Sequence, residues 1–309
     1  MDEKLRDPWL LAVWPGMGGV AISAGYYLMA KLGMHLMVEF PASEYFEMDQ
    51  IEVKDGLILA GRLPRSRMFL WRDPNGEHDI IVFIGEAQPP ARGGDFCRTL
   101  LDRAVELGVR NVFTFAAMAT PMRPEHPSRI FGAAVDPETL AKLRKQGVQI
   151  LESGNINGLN GVLLAMASYR GLTGGCLLGE IPHVFSQIPF PKASLAVLDF
   201  FTKMAGIDLD LGELRIQSKK VETTLQDFLK RMEESLEEGP REGTLSDDDE
   251  EEEPQPEVTG LKERRAIEKL FAEASEDRSR AYALKQELDR LGVFHEYEDQ
   301  FLDLFKEPD

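Results

Sequence analysis

The first residues that could bind a ligand are the glycines Gly16, Gly18 and Gly19, which lie between a short apolar run and an apolar helical segment. Gly16 and Gly18, with Ala21, fit the pattern G-x-G-x-x-G/A, in which backbone N–H groups at a helix N-terminus bind the pyrophosphate of a dinucleotide. Glu39 follows Gly18 at about the spacing of the ribose-binding acid in such sites. The three glycines are therefore candidate ligand-binding residues.

The same turn has a structural interpretation that needs no ligand. Glycine lets the backbone turn sharply between a strand and a helix, and Ala21 and Gly25 would let that helix pack close to the sheet. Nucleotide hydrolases of the phosphate-loop type are excluded, because no Gly-Lys-Ser/Thr follows the glycines. A tight turn, a dinucleotide site and an uncharacterised ligand cleft stay open as alternatives.

Two further polar segments come at the ends of predicted elements. Glu86 follows the apolar run at residues 79–84, and loops at the carboxyl ends of central strands are where open α/β sheets bind ligands. Asn155, Asn157 and Gly158 lie in a loop before an apolar helix, where backbone N–H groups can form an anion-binding nest. The alternatives are a solvated carboxylate at Glu86 and a loop that packs against the sheet edge.

The elements that must position these residues alternate between strands and helices. Strands are predicted near residues 10, 36, 80, 112, 149 and 176. This order predicts an α/β fold with one mostly parallel sheet and helices on both faces. In such a fold, the loops near residues 17, 86 and 156 are expected to meet along one rim of the sheet.

The sequence predicts a core domain at residues 1–208, followed by three further segments. A charged helix with an apolar stripe covers residues 209–238. Residues 239–260 form an acidic linker that is too polar to build a core and is expected to be disordered. Residues 261–309 are helical again, and helices this short must pack on the core, on the charged helix or on a neighbouring subunit.

Charge and cysteine content exclude several classes of protein. The 309 residues carry a formal net charge of −18; seven of these charges are the acidic run at residues 247–253, which leaves −11 for the rest. Such a surface repels nucleic acids and anionic membranes. No run reaches the ~18 apolar residues of a membrane helix, and two cysteines are too few for a disulfide scaffold. We therefore expect a cytoplasmic protein with no nucleic-acid or membrane partner.

The sequence lacks the motifs of well-known catalytic and metal sites. It contains no H-E-x-x-H, C-x-x-C, G-x-S-x-G or EF-hand pattern, and its five histidines show no pairing at helical ligand spacing. We therefore expect no catalytic residue, no metal site and no cofactor, although residues far apart in the chain can still converge.

Between about residues 9 and 210 the chain contains, in this order, the segments WPGMGGVAISAGYYL, GEAQPP, PMRPEHPSRIFGAA, GNINGLNGVLL and GEIPHVFSQIPFPKASLAVLDFF. Together they resemble the proteasome assembly chaperone family of the second-subunit type, in a prokaryotic member with a C-terminal helical extension. The resemblance implies a three-layer α/β/α fold similar to nucleoside phosphorylases and peptidyl hydrolases. It also implies a non-enzymatic chaperone for proteasome α-rings that forms a homo-oligomer, with a trimer favoured.

The end of the chain departs from that family. Chaperones of the family that dock on the ring can end in a hydrophobic-Tyr-X tail, which the final residues Lys306-Glu307-Pro308-Asp309 do not match. Docking on a proteasome by that route is therefore not expected.

Two functional hypotheses follow from these observations. The first is a non-catalytic protein-interaction or assembly-chaperone-like protein, homo-oligomeric, with a proteasome-like or other protein partner. The second is an enzyme or sensor that binds a small anionic ligand, such as a nucleotide or dinucleotide, in a cleft lined by Gly16–Gly19, Glu86 and Asn155–Gly158.

Overall fold

A mixed sheet of eight strands is the centre of the computed structural model, which describes residues 4–48, 51, 53–54, 56–58, 61–237 and 261–306. The strands are β1 (Trp9–Val13), β2 (His35–Phe40), β3 (Val53–Lys54), β4 (Leu57–Ile58), β5 (Ser66–Trp71), β6 (Ile80–Gly85), β7 (Asn111–Thr120), β8 (Ile130–Ala134), β9 (Gln149–Ile150) and β10 (Thr173–Pro182). The helices are α1 (Val20–Lys31), α2 (Gly93–Glu106), α3 (Pro137–Lys145), α4 (Leu159–Tyr169), α5 (Pro191–Met204), α6 (Gly212–Glu237), α7 (Leu261–Glu276), α8 (Ala281–Arg290) and α9 (Phe294–Asp303).

The sheet has the strand order β2-β5-β6-β1-β7-β10-β8-β9, while β3 and β4 form a separate pair. Strands β6, β1, β7 and β10 are parallel neighbours. Strand β5 runs antiparallel to both of its neighbours, and β8 runs antiparallel to β10. Helices cover both faces, so the predicted three-layer α/β/α fold with a mostly parallel sheet is confirmed.

The neighbours of two predicted strands could not be read from the sequence pattern. Strand β2 runs in the direction of β1, but β6 and β5 lie between them. The strand predicted near residue 149 is present as β9, yet it pairs in parallel with β8 and therefore runs against the central strands. Hydrophobic periodicity locates strands along the chain but does not specify which strands become neighbours.

Strand β1 is buried on both sides, because successive side chains of a strand point to opposite faces of the sheet. Leu11 and Val13 belong to the apolar cluster that includes α1 and α5. Leu10, Ala12 and Trp14 belong to the cluster that includes α2 and α4. This double burial explains why β1 is an unbroken apolar run rather than an alternating one.

The glycine turn after β1 makes a sharp connection to α1. Gly18 and Gly19 have φ angles of 61° and 59°, a left-handed backbone conformation that residues other than glycine rarely adopt. Further along, Gly25 of α1 lies against β1, where an added Cβ would be 2.5 Å from Val13 Cγ2. These are the tight turn and the close helix packing that the structural interpretation of this segment predicts.

Helices α6 to α9 add a further layer over α1 and α5. Tyr26 of α1 packs edge-on against Phe294 and Phe301, with ring centroids 5.4 and 5.8 Å away. The carbonyl of Phe305 accepts a hydrogen bond of 2.6 Å from the N–H of Leu36, on the edge strand β2. The last described residues thus cover part of this edge of the sheet.

The acidic linker predicted at residues 239–260 lies outside the described residues, as do residues 307–309. The described helix of the predicted charged segment is α6, and those of the last segment are α7, α8 and α9. The division of the chain into a core domain and three further segments stays a prediction.

Candidate functional site

The predicted cleft residues fall into two groups in the structure. Gly18, Gly19 and Glu86 line one cavity of about 1010 Å³. Gly16 is exposed and lies outside the lining of that cavity, and so do the residues of the loop at 155–158. The first two loops therefore converge on one cavity, while the third presents its residues to solvent.

The N–H groups of the glycine turn are already used within the protein. Gly18 N–H donates to the carbonyl of Ser186 at 2.8 Å, and Gly19 N–H donates to the carbonyl of Gly16 at 3.0 Å. The carbonyl of Gly18 accepts from the N–H of Phe190 at 2.8 Å. These bonds fix the turn against the segment that leads into α5, and they leave neither glycine N–H free to bind a phosphate.

The loop before α4 touches the segment that follows β6. Leu159 N–H, at the start of α4, donates to Gln88 Oε1 at 3.0 Å, so the side chain of Gln88 caps this helix. Asn155, Asn157 and Gly158 are exposed. Helix α4 belongs to the apolar cluster on the opposite face of the sheet from α1. The loop that leads into α4 therefore lies on that opposite face.

The cavity lies between the core and the C-terminal helices. One side is formed by the glycine turn and by Ile22, Ser23 and Tyr26 of α1, and the segment at residues 188–194 continues it. The opposite side is formed by α6, α8 and α9. The helices that follow residue 260 therefore help to close the cavity that the glycine turn borders.

Glu86 lies at the wall of this cavity and is bound by three arginines. Two of them precede β5, and the third lies within it. The Glu86 carboxylate accepts 2.6 Å and 3.3 Å hydrogen bonds from Arg62 and Arg67, and a 2.8 Å bond from the backbone N–H of Arg65. The side chains of Glu86 and Arg67 are 5% and 2% exposed. Glu86 thus acts as a buried partner of arginines, which compensates the cost of burying its charge.

The same arginines reach α9. Arg67 and Arg65 donate to Asp299 Oδ1 at 2.9 Å and 2.7 Å, and Arg62 donates to Glu298 Oε2 at 3.1 Å. Together with Glu39, which accepts from Arg65 and Arg67, these residues form what we call the arginine network. Its members are Glu39, Arg62, Arg65, Arg67, Glu86, Glu298 and Asp299. The network joins β2, β5 and the end of β6 to the C-terminal helix.

The environment of the network shifts the pKa of several of its groups. Burial raises the pKa of Glu86 above its usual 4.5, and the nearby Glu298 raises it further, against the opposing effect of the arginines. Burial also acts to raise the pKa of Asp299, but the bonds from Arg65 and Arg67 outweigh burial, so its net shift is downward. Tyr26 donates to Glu298 at 2.7 Å, and its burial beside that carboxylate holds its pKa well above 10.

A second cavity, of about 500 Å³, lies at the carboxyl ends of β7 and β10. Glu180 lines it and is 1% exposed. Its carboxylate accepts hydrogen bonds from Thr120 and from the backbone and side chain of Arg129. His126, also in the lining, accepts from the backbone N–H of Arg123 at 3.3 Å. The polar groups of this cavity therefore hold the proline-rich loop in place.

Cys97 and Cys176 are both buried, and burial raises the pKa of each thiol to about 12. Among the described residues, no group of three or more His, Cys, Asp or Glu side chains is arranged to hold a metal ion. No helix in the described part of the chain is both long and apolar enough to cross a bilayer.

The sequence patterns did not predict the arginine network, nor the side of the cavity that α6, α8 and α9 form. The segment at residues 62–67 has the composition of a solvated turn, and its partners on α9 lie more than two hundred residues further along the chain. One signal was present, because the charged residue Glu39 lies at the end of the apolar strand predicted near residue 36. Charges placed so close to buried strands require partners.

The family model of the PAC2 family matches residues 10–229 of this chain. The uncharacterized protein MJ1210 of Methanocaldococcus jannaschii is 26% identical over 243 residues, which cover 76% of this chain and 88% of that protein. The match of the family model ends within α6, so α7, α8 and α9 lie beyond it.

Two solved structures are similar over most of their own length. Pyrococcus furiosus PbaB, described as an archaeal proteasome activator, is 25% identical with a TM-score of 0.63; the match covers 74% of this chain and 96% of PbaB. Rv2125 of Mycobacterium tuberculosis, a proteasome-assembly chaperone homologue, is 24% identical with a TM-score of 0.62, covering 71% of this chain and 94% of that one. At 24% identity, the similarity to Rv2125 shows a shared fold and nothing further.

Proposed function

This chain belongs to the PAC2 family, and on that premise we propose that it is a non-catalytic protein-interaction protein that acts as an assembly chaperone. The observation that carries the proposal is the family match over residues 10–229, together with the similarity to PbaB. The proposed partner is a subunit of a proteasome-like particle. A cytoplasmic location, without nucleic-acid or membrane partners, is part of the proposal and rests on the acidic composition.

The state of the polar side chains supports a role in binding rather than in catalysis. Glu86, Glu298 and Glu180 are buried carboxylates that line the two cavities, and each is bound by an arginine. The thiols of Cys97 and Cys176 are buried, which keeps them from acting as nucleophiles. In the described part of the chain, these carboxylates are thus engaged in ion pairs within the fold, and these thiols are shielded from solvent.

Exposed apolar side chains also support a protein partner. Val53, Leu57 and Ile58, in the paired strands β3 and β4, are 65%, 67% and 75% exposed. Large apolar side chains exposed close together are typical of protein-interaction surfaces. Their exposure fits a protein that works in complexes.

The chaperone proposal is tested with purified full-length protein and proteasome α-subunits. Mixed with unassembled α-subunits, the protein is expected to form a complex and to raise the yield of α-rings, followed by native gel electrophoresis. Bovine serum albumin of equal concentration is the control for non-specific crowding. Ring yields equal to the control, with no complex formed, would contradict the proposal.

A homo-oligomer, with a trimer favoured, is the proposed state of the protein. Size-exclusion chromatography with multi-angle light scattering measures the mass directly, and the chain mass is 34.7 kDa. A mass near three times that value is expected across a tenfold range of concentration. A single species of one chain mass would contradict this part of the proposal.

The proposed domain organisation comprises a core at residues 1–208, a charged helix at 209–238, an acidic linker at 239–260 and a helical segment at 261–309. Limited proteolysis with mass spectrometry tests it. Cuts are expected first at residues 239–260, because polar segments that build no core are cleaved fastest. First cuts inside the core would overturn the division.

A further inference from the structure

The cavity beside the glycine turn has mostly apolar walls. Ile22 of α1, Phe190 before α5, Val221 and Leu225 of α6, and Phe294 of α9 all line it. Its volume of about 1010 Å³ is at the upper end of what pockets for small organic molecules need. Apolar walls of this extent favour a ligand whose own surface is largely apolar.

Two polar atoms in the lining have no hydrogen-bond partner among the described residues: Ser194 Oγ and Glu213 Oε2. Ser194 is 0% exposed. Buried polar atoms are nearly always hydrogen-bonded, because leaving one unpaired costs free energy. Both atoms can accept a hydrogen bond, and a carboxylate oxygen can do nothing else. They therefore call for a ligand that brings a donor.

The charges around the cavity do not call for a charged ligand. Each lining carboxylate already has a partner: Glu213 pairs with Lys31, Glu86 and Glu298 with Arg62, Glu287 with Arg290, and Asp289 with Lys285. With Lys31 and Arg62 counted beside the three lining bases, five bases balance the five lining acids, so the cavity carries no net charge that would attract a charged ligand. The one carboxylate oxygen of Glu213 that lacks a hydrogen-bond partner, Oε2, would repel an anion placed beside it.

We propose that this cavity binds an uncharged, largely apolar organic molecule that carries one hydrogen-bond donor. The apolar body lies between α1, α6 and α9, and the donor reaches Ser194 Oγ, the unpaired atom that belongs to a fully buried residue. The site differs from the anion-binding cleft expected from the glycine pattern, because the glycine N–H groups are used internally. It also stands independently of the proposed chaperone role.

The test uses two fluorescent probes and the full-length protein. N-phenylnaphthylamine is uncharged, apolar and carries one N–H donor; anilinonaphthalene sulfonate has the same ring system with an added anionic group. We expect saturable binding of one N-phenylnaphthylamine per chain and at least about tenfold weaker binding of the sulfonate. Equal affinity for both probes, or a signal that does not saturate, would overturn the proposal.

Two matched variants locate the probe. Thr224 and Thr223 are neighbouring exposed residues of α6, but Thr224 lines the cavity and Thr223 does not. Thr224→Trp is expected to weaken binding of N-phenylnaphthylamine by at least about tenfold, while Thr223→Trp leaves it unchanged. The same effect in both variants, with both folded by circular dichroism, would contradict binding at this site.

Ser194→Ala tests the polar end of the cavity. Loss of the hydroxyl is expected to weaken binding of the probe by about three- to tenfold, the range for one hydrogen bond. The same change should raise the melting temperature of the ligand-free protein, because it removes a buried unpaired group. A lower melting temperature with unchanged affinity would show that the hydroxyl serves only the fold, and the proposed donor contact would fall.

Discussion

The guanidinium of Arg67, on β5, donates a 2.9 Å hydrogen bond to the carboxylate of Asp299, on α9, although 232 residues separate them in the sequence. Arg67 is 1% exposed, whereas the side chain of Asp299 is 39% exposed. A buried cation of the family-matched region is thus bound by a helix that lies beyond it. Because a buried charge needs its partners, the packing of α9 and the burial of Arg67 depend on each other.

Arg67→Met is therefore expected to destabilise the protein by about 1–3 kcal/mol, since the buried carboxylate of Glu86 loses one partner and keeps Arg62 and the Arg65 N–H. The free energy of unfolding is measured by urea denaturation. Arg103→Met is the matched control, because the Arg103 side chain is 45% exposed and pairs with Glu106 on the surface of α2; it should cost less than about 1 kcal/mol. Similar losses in both variants would contradict the structural role of the network.

Gly25→Ala should introduce a clash between α1 and β1. The new Cβ would lie 2.5 Å from Val13 Cγ2, and overpacking of this kind costs about 1–3 kcal/mol. Thermal unfolding measures the loss, and adding Val13→Ala should recover part of it. At Gly16 an added Cβ meets no atom within 4 Å, so Gly16→Ala is the control and should change stability by less than about 0.5 kcal/mol. Equal effects at both glycines would refute the close packing.

The pH dependence of stability should depend on Glu180. Burial acts to raise its pKa, but hydrogen bonds from Arg129 and Thr120 outweigh burial and lower the pKa below its usual 4.5. A lowered pKa stabilises the fold above the unfolded value, and this stabilisation is lost as the pH falls through the folded pKa. Glu180→Gln should therefore make the fall in stability below pH ~4.5 less steep, by at most about 1.4 kcal/mol per pH unit.

That measurement is a series of urea denaturations between neutral and acidic pH. Glu138→Gln is the control, because the Glu138 side chain is 77% exposed on α3. Its stability curve should keep the slope of the unchanged protein. A Glu180→Gln curve parallel to that of the unchanged protein would show that Glu180 contributes no proton linkage.

The two thiols should not react while the protein is folded. Cys97 and Cys176 are 0% exposed, and with a pKa of about 12 only about one thiol in ten thousand is ionised at pH 8. Ellman's reagent should find no thiol in the native protein and two after unfolding in guanidinium chloride. Thr223→Cys, at an exposed position of α6, should add one fast-reacting thiol. Rapid reaction of the native protein without that change would contradict the burial of these cysteines.

Local patterns were sufficient to predict six of the eight strands in the central sheet, all but β5 and β8. Asp136-Pro137 predicts a helix start, and the structure shows Asp136 accepting from Thr139 N–H at 2.8 Å with Pro137 in the first turn. The apolar run at residues 79–84 predicts a central strand, and β6 occupies it. Such signals work because caps and buried strands depend on residues next to each other in the chain.

The cavity and the arginine network could not be predicted in the same way. Glu86 was expected at a ligand cleft, and it does border a cavity, but its carboxylate is bound by Arg62 and Arg67. The bonds from these arginines to Glu298 and Asp299 depend on how α9 packs on the core, which no spacing within the segment at residues 261–309 reveals. That Glu213 Oε2 lacks a hydrogen-bond partner can likewise be recognised only from the packing of α6 against α1.

The bond from Leu36 N–H to the Phe305 carbonyl has a consequence for how copies of this protein can associate. An outer strand with free N–H and C=O groups recruits extended segments of other chains, which is a frequent route to continuous sheets that run through several subunits. Here the chain's own end occupies that position at Leu36. A strand of another copy therefore cannot pair with β2 at Leu36 while Phe305 holds this position.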